Sequence, residues 1–300
     1  MMNKATFKDV IIEEIRRAVP SSYDVSTREV VKSNDAVYTG ITITPPNSNV
    51  GATVYVEHMY EDYKSGIAPE VIAEKTVSIV MDEGQISVPD FDKAFILDNV
   101  YYRMANAEAN QRRFESVPVI NPAGAEDIAL YPAIDVTVAG RAGVIVIQNS
   151  HLEGADISLD ELHTAAQRNT ESRVQITKLS EVLAGITGMP EEAFDSPLYV
   201  TTDKKTGIGT GDVSLFGAPS ILADLPTMYI LPSSVHELLL IPESQVESPE
   251  HLANLVAEVN VYVVEREDVL SGNIYKVEDG KIQTALVGLE VEASNEYENE

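Results

Sequence analysis

The apolar runs of this sequence are strand-sized, and they alternate irregularly with segments of helical periodicity. Val144-Ile145-Val146-Ile147 and Leu238-Leu239-Leu240-Ile241 are among the longest, far short of the roughly 20 apolar residues that cross a bilayer. Short apolar runs bounded by turn signals read as strands buried in a sheet. The helical segments between them arrive in short blocks, without the strand–helix–strand alternation of a doubly wound parallel sheet. The pattern predicts an α+β fold with mixed, mainly antiparallel sheets and helices packed on one side.

The elements can be placed from periodicity and punctuation. Phe7, Val10, Ile11 and Ile15 recur at helical spacing, which predicts a helix over 7–18 with Thr6 as N-cap and Pro20 as its stop. Residues 25–31, 37–44 and 52–57 read as strands, followed by helices over 58–64 and 69–81. A strand over 100–104 leads to a polar helix over 107–114. Residues 127–138 and 142–148 are so rich in Val, Ile and Leu that both are expected in the middle of a sheet, with Val144–Ile147 buried. Ser158-Leu159-Asp160-Glu161 is a capping box and the clearest helix start in the chain, opening a helix to Asn169.

Further on, a helix over 178–184 precedes strands over 198–202, 227–231 and 237–241. Ser248-Pro249-Glu250 starts a helix with Leu252, Leu255, Val256 and Val259 on one face. A hairpin closes across Asp279-Gly280. We expect one large α+β domain over residues 1–285, which can divide into two lobes near 190–198. The stretch 286–300, with five glutamates from Glu290 onward, is expected to be an acidic, disordered tail.

Charge narrows the function classes. Forty-eight acidic against 21 basic residues give a net charge of −27, a field that repels nucleic-acid phosphate and anionic lipid. The basic pairs Arg16-Arg17, Arg112-Arg113 and Lys204-Lys205 are scattered and form no stripe. Direct nucleic-acid and membrane binding are therefore not expected, and the partner class that remains is protein. The acidic surface serves solubility, or offers a decoy to a basic partner. There is no cysteine, so thiol and disulfide chemistry is absent. The charged segment Met1 to Asp9 lacks an apolar stretch with a cleavage site, which predicts no secretory signal and a cytoplasmic address.

Chemistry-bearing constellations are few. In Pro232-Ser233-Ser234-Val235-His236-Glu237, strand alternation would put Ser234 and His236 on one face, where an imidazole can activate a hydroxyl. A turn whose hydroxyls satisfy local backbone groups accounts for the same residues. The histidines His58, His151, His163, His236 and His251 make no metal-binding spacing. Gly207-Ile208-Gly209-Thr210-Gly211 lacks the pattern of a dinucleotide or Walker loop, so no cofactor is expected. Asp127 and Asp135 are eight residues apart, over about 25 Å along a strand, too far to share one site unless the chain bends.

Several segments together resemble a bacterial family catalogued as a domain of unknown function (number 5688). They are Asn106-Ala107-Glu108-Ala109-Asn110, Glu126-Asp127, Asn149-Ser150-His151-Leu152, Leu162 to Thr170, Tyr229 to Glu237, Glu258-Val259-Asn260 and Val269-Leu270-Ser271. Their order matches over Phe7 to Val277, and the Pro-Ser-Ser-x-His-Glu block is the most specific piece. The resemblance implies a bacterial, cytoplasmic protein of a kind frequent in mobile-element contexts, and supplies no activity; a mobile-element or host-defence origin is the functional reading that goes with it. Two expectations follow. One is a non-enzymatic, acidic interaction or regulatory protein. The other is a hydrolase-type enzyme centred on Ser234, His236 and Glu237, with Asp127 and His163 assisting.

Overall fold

The computed structural model describes residues 1–46, 51–82, 91–138, 141–205, 213–232 and 234–288. The Gly207–Gly211 stretch, Ser233, the turn at Ala139-Gly140 and the tail from residue 289 lie outside the described residues. The chain separates into two compact units. Unit 1 comprises Met1–Lys32, Ala36–Asp90 and Val136–Gly143; unit 2 comprises Ser33–Asp35, Phe91–Asp135 and Val144–Glu300. The lobe boundary expected near 190–198 therefore falls inside unit 2.

Unit 1 opens with helix α1 (Lys4–Ala18). It begins one turn earlier than expected because Asn3 is the N-cap, its side chain accepting from the Thr6 N–H at 2.9 Å. Phe7, Ile11 and Ile15, spaced four apart, are its buried stripe. Strands β1 (Asp24–Val31), β2 (Val37–Thr44) and β3 (Ala52–Tyr55) form an antiparallel sheet in that order. Alternation along β2 turns Ile41 and Ile43 into the core. On the other face Thr42 and Thr53 sit opposite each other with their hydroxyls 2.8 Å apart. Helices α2 (Val56–Lys64) and α3 (Pro69–Asp82) complete the apolar layer with Val56, Met59, Ile72, Ala73 and Val77. Phe7 lies against Tyr63 and Tyr60, with ring centroids 5.0 and 5.3 Å away.

Unit 2 begins with α4 (Lys93–Asn99), a helix absent from the sequence reading. Asp92 caps it by accepting from the Phe95 N–H at 2.8 Å. Strands β4 (Tyr101–Asn106), β5 (Ile128–Val138) and β6 (Arg141–Val146) make a sheet in that order, with the residues from Val136 to Gly143 counted in unit 1. Only β5 is central. As the edge strand, β6 leaves Val144 42% exposed, contrary to the expectation that Val144–Ile147 is buried, although Ile147 is buried. Residues 107–114 do not form the expected helix, only a 3-10 turn at Glu108–Asn110. The Asn110 side chain contributes to this: although Asn106 Oδ1 accepts from the Ala109 N–H as an N-cap would, Asn110 Nδ2 donates to the Asn106 carbonyl that a helical N–H would use. Such bonds compete with helical ones.

Two helices follow, α5 (Asn149–Ala155) and α6 (Leu159–Arg173). The capping box forms as the sequence predicts, Glu161 accepting from the Ser158 N–H and Ser158 Oγ from the Glu161 N–H. The helix runs past Asn169 and passes straight into β7 (Val174–Lys178). The remaining elements are α7 (Leu179–Thr187), β8 (Tyr199–Asp203), α8 (Pro219–Ala223), β9 (Met228–Leu231), β10 (Leu239–Pro242), α9 (Pro249–Tyr262), β11 (Ile274–Glu278) and β12 (Lys281–Leu286). Six strands form an antiparallel sheet in the order β12-β11-β9-β10-β8-β7. All four residues of β9 are buried, as its interior place requires. Tyr229, Leu231 and Ile274 meet Leu252, Ala253 and Val256 of α9. The β11–β12 turn uses Asp279 and Gly280 with φ of 50° and 73°, the left-handed pair that Asp-Gly favours.

Phe7 is fully buried among two helices and a strand, so Phe7→Ala is expected to cost about 3–5 kcal/mol. Urea unfolding followed by circular dichroism measures it, and a loss below about 1 kcal/mol would contradict the packing described.

Candidate functional site

The hydroxyl–imidazole pairing anticipated at residues 234–237 does not use strand geometry, because β10 starts only at Leu239. The segment is a turn. Ser234 Oγ accepts from the His236 N–H at 3.1 Å, and the Ser234 N–H donates to the Glu237 carbonyl at 3.4 Å. The Val235 N–H donates to the Asp268 carbonyl, and His236 Nε2 lies 3.3 Å from Asp268 Oδ1 with its ring half exposed. Ser234 thus serves the backbone of its own turn, and the imidazole faces a carboxylate from another segment.

Asp127 sits just before β5, within a different set of partners. Its Oδ2 accepts from the Ser271 hydroxyl at 2.6 Å and from the Tyr275 hydroxyl at 2.8 Å. The Tyr275 hydroxyl is also 2.8 Å from Ser271 Oγ, and the Asn273 N–H donates to that same oxygen. Burial, with the Asp127 charge adding to it, pushes the Tyr275 phenol well above its ordinary range, so it remains a donor. Asparagines extend the web. Asn106 Nδ2 donates to the Leu270 carbonyl, Asn260 Nδ2 to the Ser271 carbonyl, and Asn34 Nδ2 to the carbonyls of Arg266 and Val269. Four of the segments that carry the family resemblance, around residues 106–110, 127, 260 and 271, therefore meet through hydrogen bonds.

His163 lies on α6, where Nδ1 shares a 2.7 Å hydrogen bond with the hydroxyl of Tyr102 on β4. Burial lowers the imidazole below its ordinary value, against the opposing pull of the Asp160 charge. Burial also raises the Tyr102 phenol. His151 is a capping group of α5, Nδ1 accepting from the Gln148 N–H at 3.2 Å. Among the described residues no group of three or more His, Asp and Glu side chains is placed to hold a metal ion.

One charged centre escaped the sequence reading. Arg173, the last residue of α6, is bonded through Nη2 and Nε to Asp203 at the end of β8, and its Nη2 is 2.8 Å from Asp135 Oδ2 on β5. The Tyr101 hydroxyl donates to Asp135 Oδ1 at 2.7 Å, and the guanidinium stands 3.7 Å above the Tyr101 ring. Lys205 Nζ completes the group 3.7 Å from Asp135. Asp203 is only 1% exposed. Burial acts to lower Arg173, but the Asp203 hydrogen bond and the Asp135 charge override it and hold it above its ordinary value. Asp203-Lys204-Lys205 at the end of an apolar strand was the visible signal. The pairing partner 30 residues upstream was not.

The surface around α9 supplies a different kind of site. Between residues 237 and 279 there are ten acidic and two basic side chains. Ser248 Oγ donates to Glu250 at 2.5 Å and holds that exposed carboxyl below its ordinary value. Lys276, one of the two bases, is occupied by Glu243 at 2.9 Å and Glu278 at 3.4 Å. Leu255 is not in the core stripe with Leu252 and Val256 but 44% exposed. Spacings of three and four residues put Leu255, Glu258 and Tyr262 on one outward face. Tyr262 is 80% and Val263 75% exposed, with Glu258 and Glu265 on either side in sequence.

These features define a mostly antiparallel α+β protein whose polar residues hold loops together and whose helix α9 carries exposed apolar side chains beside acidic ones. The chain matches the model of a family of unknown function (DUF5688) over residues 4–278 and belongs to that family. Searches of curated proteins and of solved structures find no match.

Removing the cation from the Arg173 centre leaves a buried carboxylate uncompensated, so Arg173→Met is expected to cost about 3–5 kcal/mol. Arg173→Lys keeps the charge without the two-pronged geometry and is expected to cost less; equal unfolding midpoints for the two variants would refute the pairing. A histidine whose folded pKa is lowered favours the neutral form, so its stability contribution is full above about pH 6.5 and shrinks as pH falls below it. Melting temperatures between pH 7 and 5.5 are expected to drop less steeply for His163→Gln than for the wild-type chain.

Proposed function

We propose that this chain is a non-enzymatic, acidic interaction protein that binds a basic protein partner through the outer face of α9. The observation that carries this reading is the exposed apolar group Leu255, Tyr262 and Val263 within a stretch, residues 237–279, of ten acidic and two basic side chains. An exposed aromatic anchor with a polar, charged rim is a common arrangement for selective association. The acidic rim speeds encounter with a cationic surface and disfavours anionic partners. The net charge of −27 supports the same choice, because phosphate-bearing ligands meet repulsion over the whole molecule. Among the described residues no helix is long and apolar enough to cross a membrane.

The test compares the full chain with a Tyr262→Ser/Glu258→Lys/Glu265→Lys variant. All three positions are exposed, so both proteins are expected to melt alike. The wild-type chain is expected to retain a basic protein from extract at low salt and release it as salt rises, while the variant loses it. Retention of the same proteins by both would refute the reading. So would micromolar affinity of the wild-type chain for DNA or RNA at physiological ionic strength, measured by fluorescence polarisation.

A further inference from the structure

Unit 2 also contains a cleft of about 440 Å³, away from the residues used in the proposal above. Its walls come from segments far apart in sequence. Tyr102 of β4 and Leu130 of β5 stand beside Ile120 from the preceding loop. Phe216 and Leu222 approach from α8 and the 3-10 turn before it, and Ile282 from β12. The volume lies within the roughly 300–1,000 Å³ typical of small-molecule sites.

Glycines let these walls come together. A Cβ on Gly217 would stand 2.8 Å from the Tyr102 ring, and one on Gly124 would meet the Ile282 carbonyl at 2.0 Å. Gly124 also has a φ of +83°, a conformation other residues rarely adopt. The Tyr102 hydroxyl is already engaged by His163, so this ring offers mainly an apolar surface. Polar lining is confined to Gln167 and Lys281, both exposed. Lys281 is the one formally charged lining residue, and among the described residues it has no carboxylate within ion-pair distance.

We propose that this cleft binds a small monocarboxylate with an apolar body, its hydrocarbon lying against Tyr102, Phe216, Leu222 and Ile282 and its carboxylate at Lys281. Charge complementarity selects the head group: a single unpaired ammonium at the rim of an apolar cleft matches one negative charge. The field of the whole chain selects its valence, because with −27 elsewhere a polyanion gains one favourable contact against many unfavourable ones. The apolar walls select the body, since a hydrophilic acid would leave them wet without gain.

The experiment is calorimetric titration of the full chain with octanoate, 4-phenylbutyrate, 1-octanol and octylamine. Octanoate or 4-phenylbutyrate is expected to bind with a Kd on the order of 100 μM, and the tighter of the two distinguishes a straight from an aromatic body. The alcohol is expected to bind more weakly and octylamine not at all. Lys281→Gln is expected to weaken carboxylate binding about fivefold and leave 1-octanol unchanged. Ala123→Trp, at an exposed lining position, blocks the cleft without disturbing the core and is expected to abolish binding of both. The proposal is overturned by three results: no carboxylate binding at millimolar concentration, octylamine binding as well as octanoate, or unchanged affinity in either variant. The Tyr262, Glu258 and Glu265 substitutions are expected to leave these titrations unaltered, which separates this site from the α9 surface.

Discussion

The arrangement of unit 2 depends on the hydrogen bonds that converge on Asp127 and Ser271. Those residues are 144 positions apart, and Tyr275 lies a further four along. Ser271 and Tyr275 are buried. Each buried hydroxyl or amide left without a partner would cost on the order of 1–3 kcal/mol. The network therefore acts as a constraint more than as a source of attraction: any arrangement that separates the 127 and 271 segments orphans several groups at once. Asn34, Asn106 and Asn260 act in the same way, each donating to a backbone carbonyl that no strand or helix satisfies. This explains how loops without regular structure hold a defined path beside the sheets.

Electrostatics operates at two scales in this chain. Over the whole molecule the excess of acid is uncompensated, and it acts as a long-range field on whatever approaches. Locally, several bases are spent on pairing. Arg173 neutralises the buried Asp203 and the partly buried Asp135, and Lys276 is held between Glu243 and Glu278. The first kind of charge is screened by salt within about a Debye length, and the buried kind is not. Association through the acidic surface and integrity of the Arg173 centre should therefore respond differently to ionic strength.

The two sites proposed for unit 2 follow from opposite departures from an ordinary soluble surface. At the end of α9 large apolar side chains remain exposed where polar ones would be unremarkable. In the cleft, a cation has no carboxylate partner among the described residues, in a chain where acids outnumber bases by more than two to one. One departure suits a macromolecule with a basic surface, the other a small acid with a hydrocarbon body.

Much of the architecture was legible in the sequence. The capping box at Ser158, the stop at Pro20, the Asp279-Gly280 hairpin and the alternation of β2 are local, and local sterics and hydrogen bonding decide them. The antiparallel α+β class followed from the length of the apolar runs and the lack of strand–helix alternation. What composition could not state was partnership. Val144 and Ile230 look alike in sequence, yet one lies on an edge strand and the other in an interior one, because strand order is set by long-range pairing. Leu255 fits the apolar stripe of α9 by spacing and still faces outward, 44% exposed, because burial is decided by what packs against the helix. Ser234 and His236 have the types and spacing of a catalytic pair, but only the folded turn shows the hydroxyl accepting from the backbone. Asp127 and His163 were picked out as reactive types, while their partners Ser271, Tyr275 and Tyr102 stand 61 to 148 residues away. Sequence determined the elements, because their causes lie within a few residues. Tertiary structure alone decided which polar groups meet, because burial and hydrogen-bond satisfaction are properties of the whole packed unit.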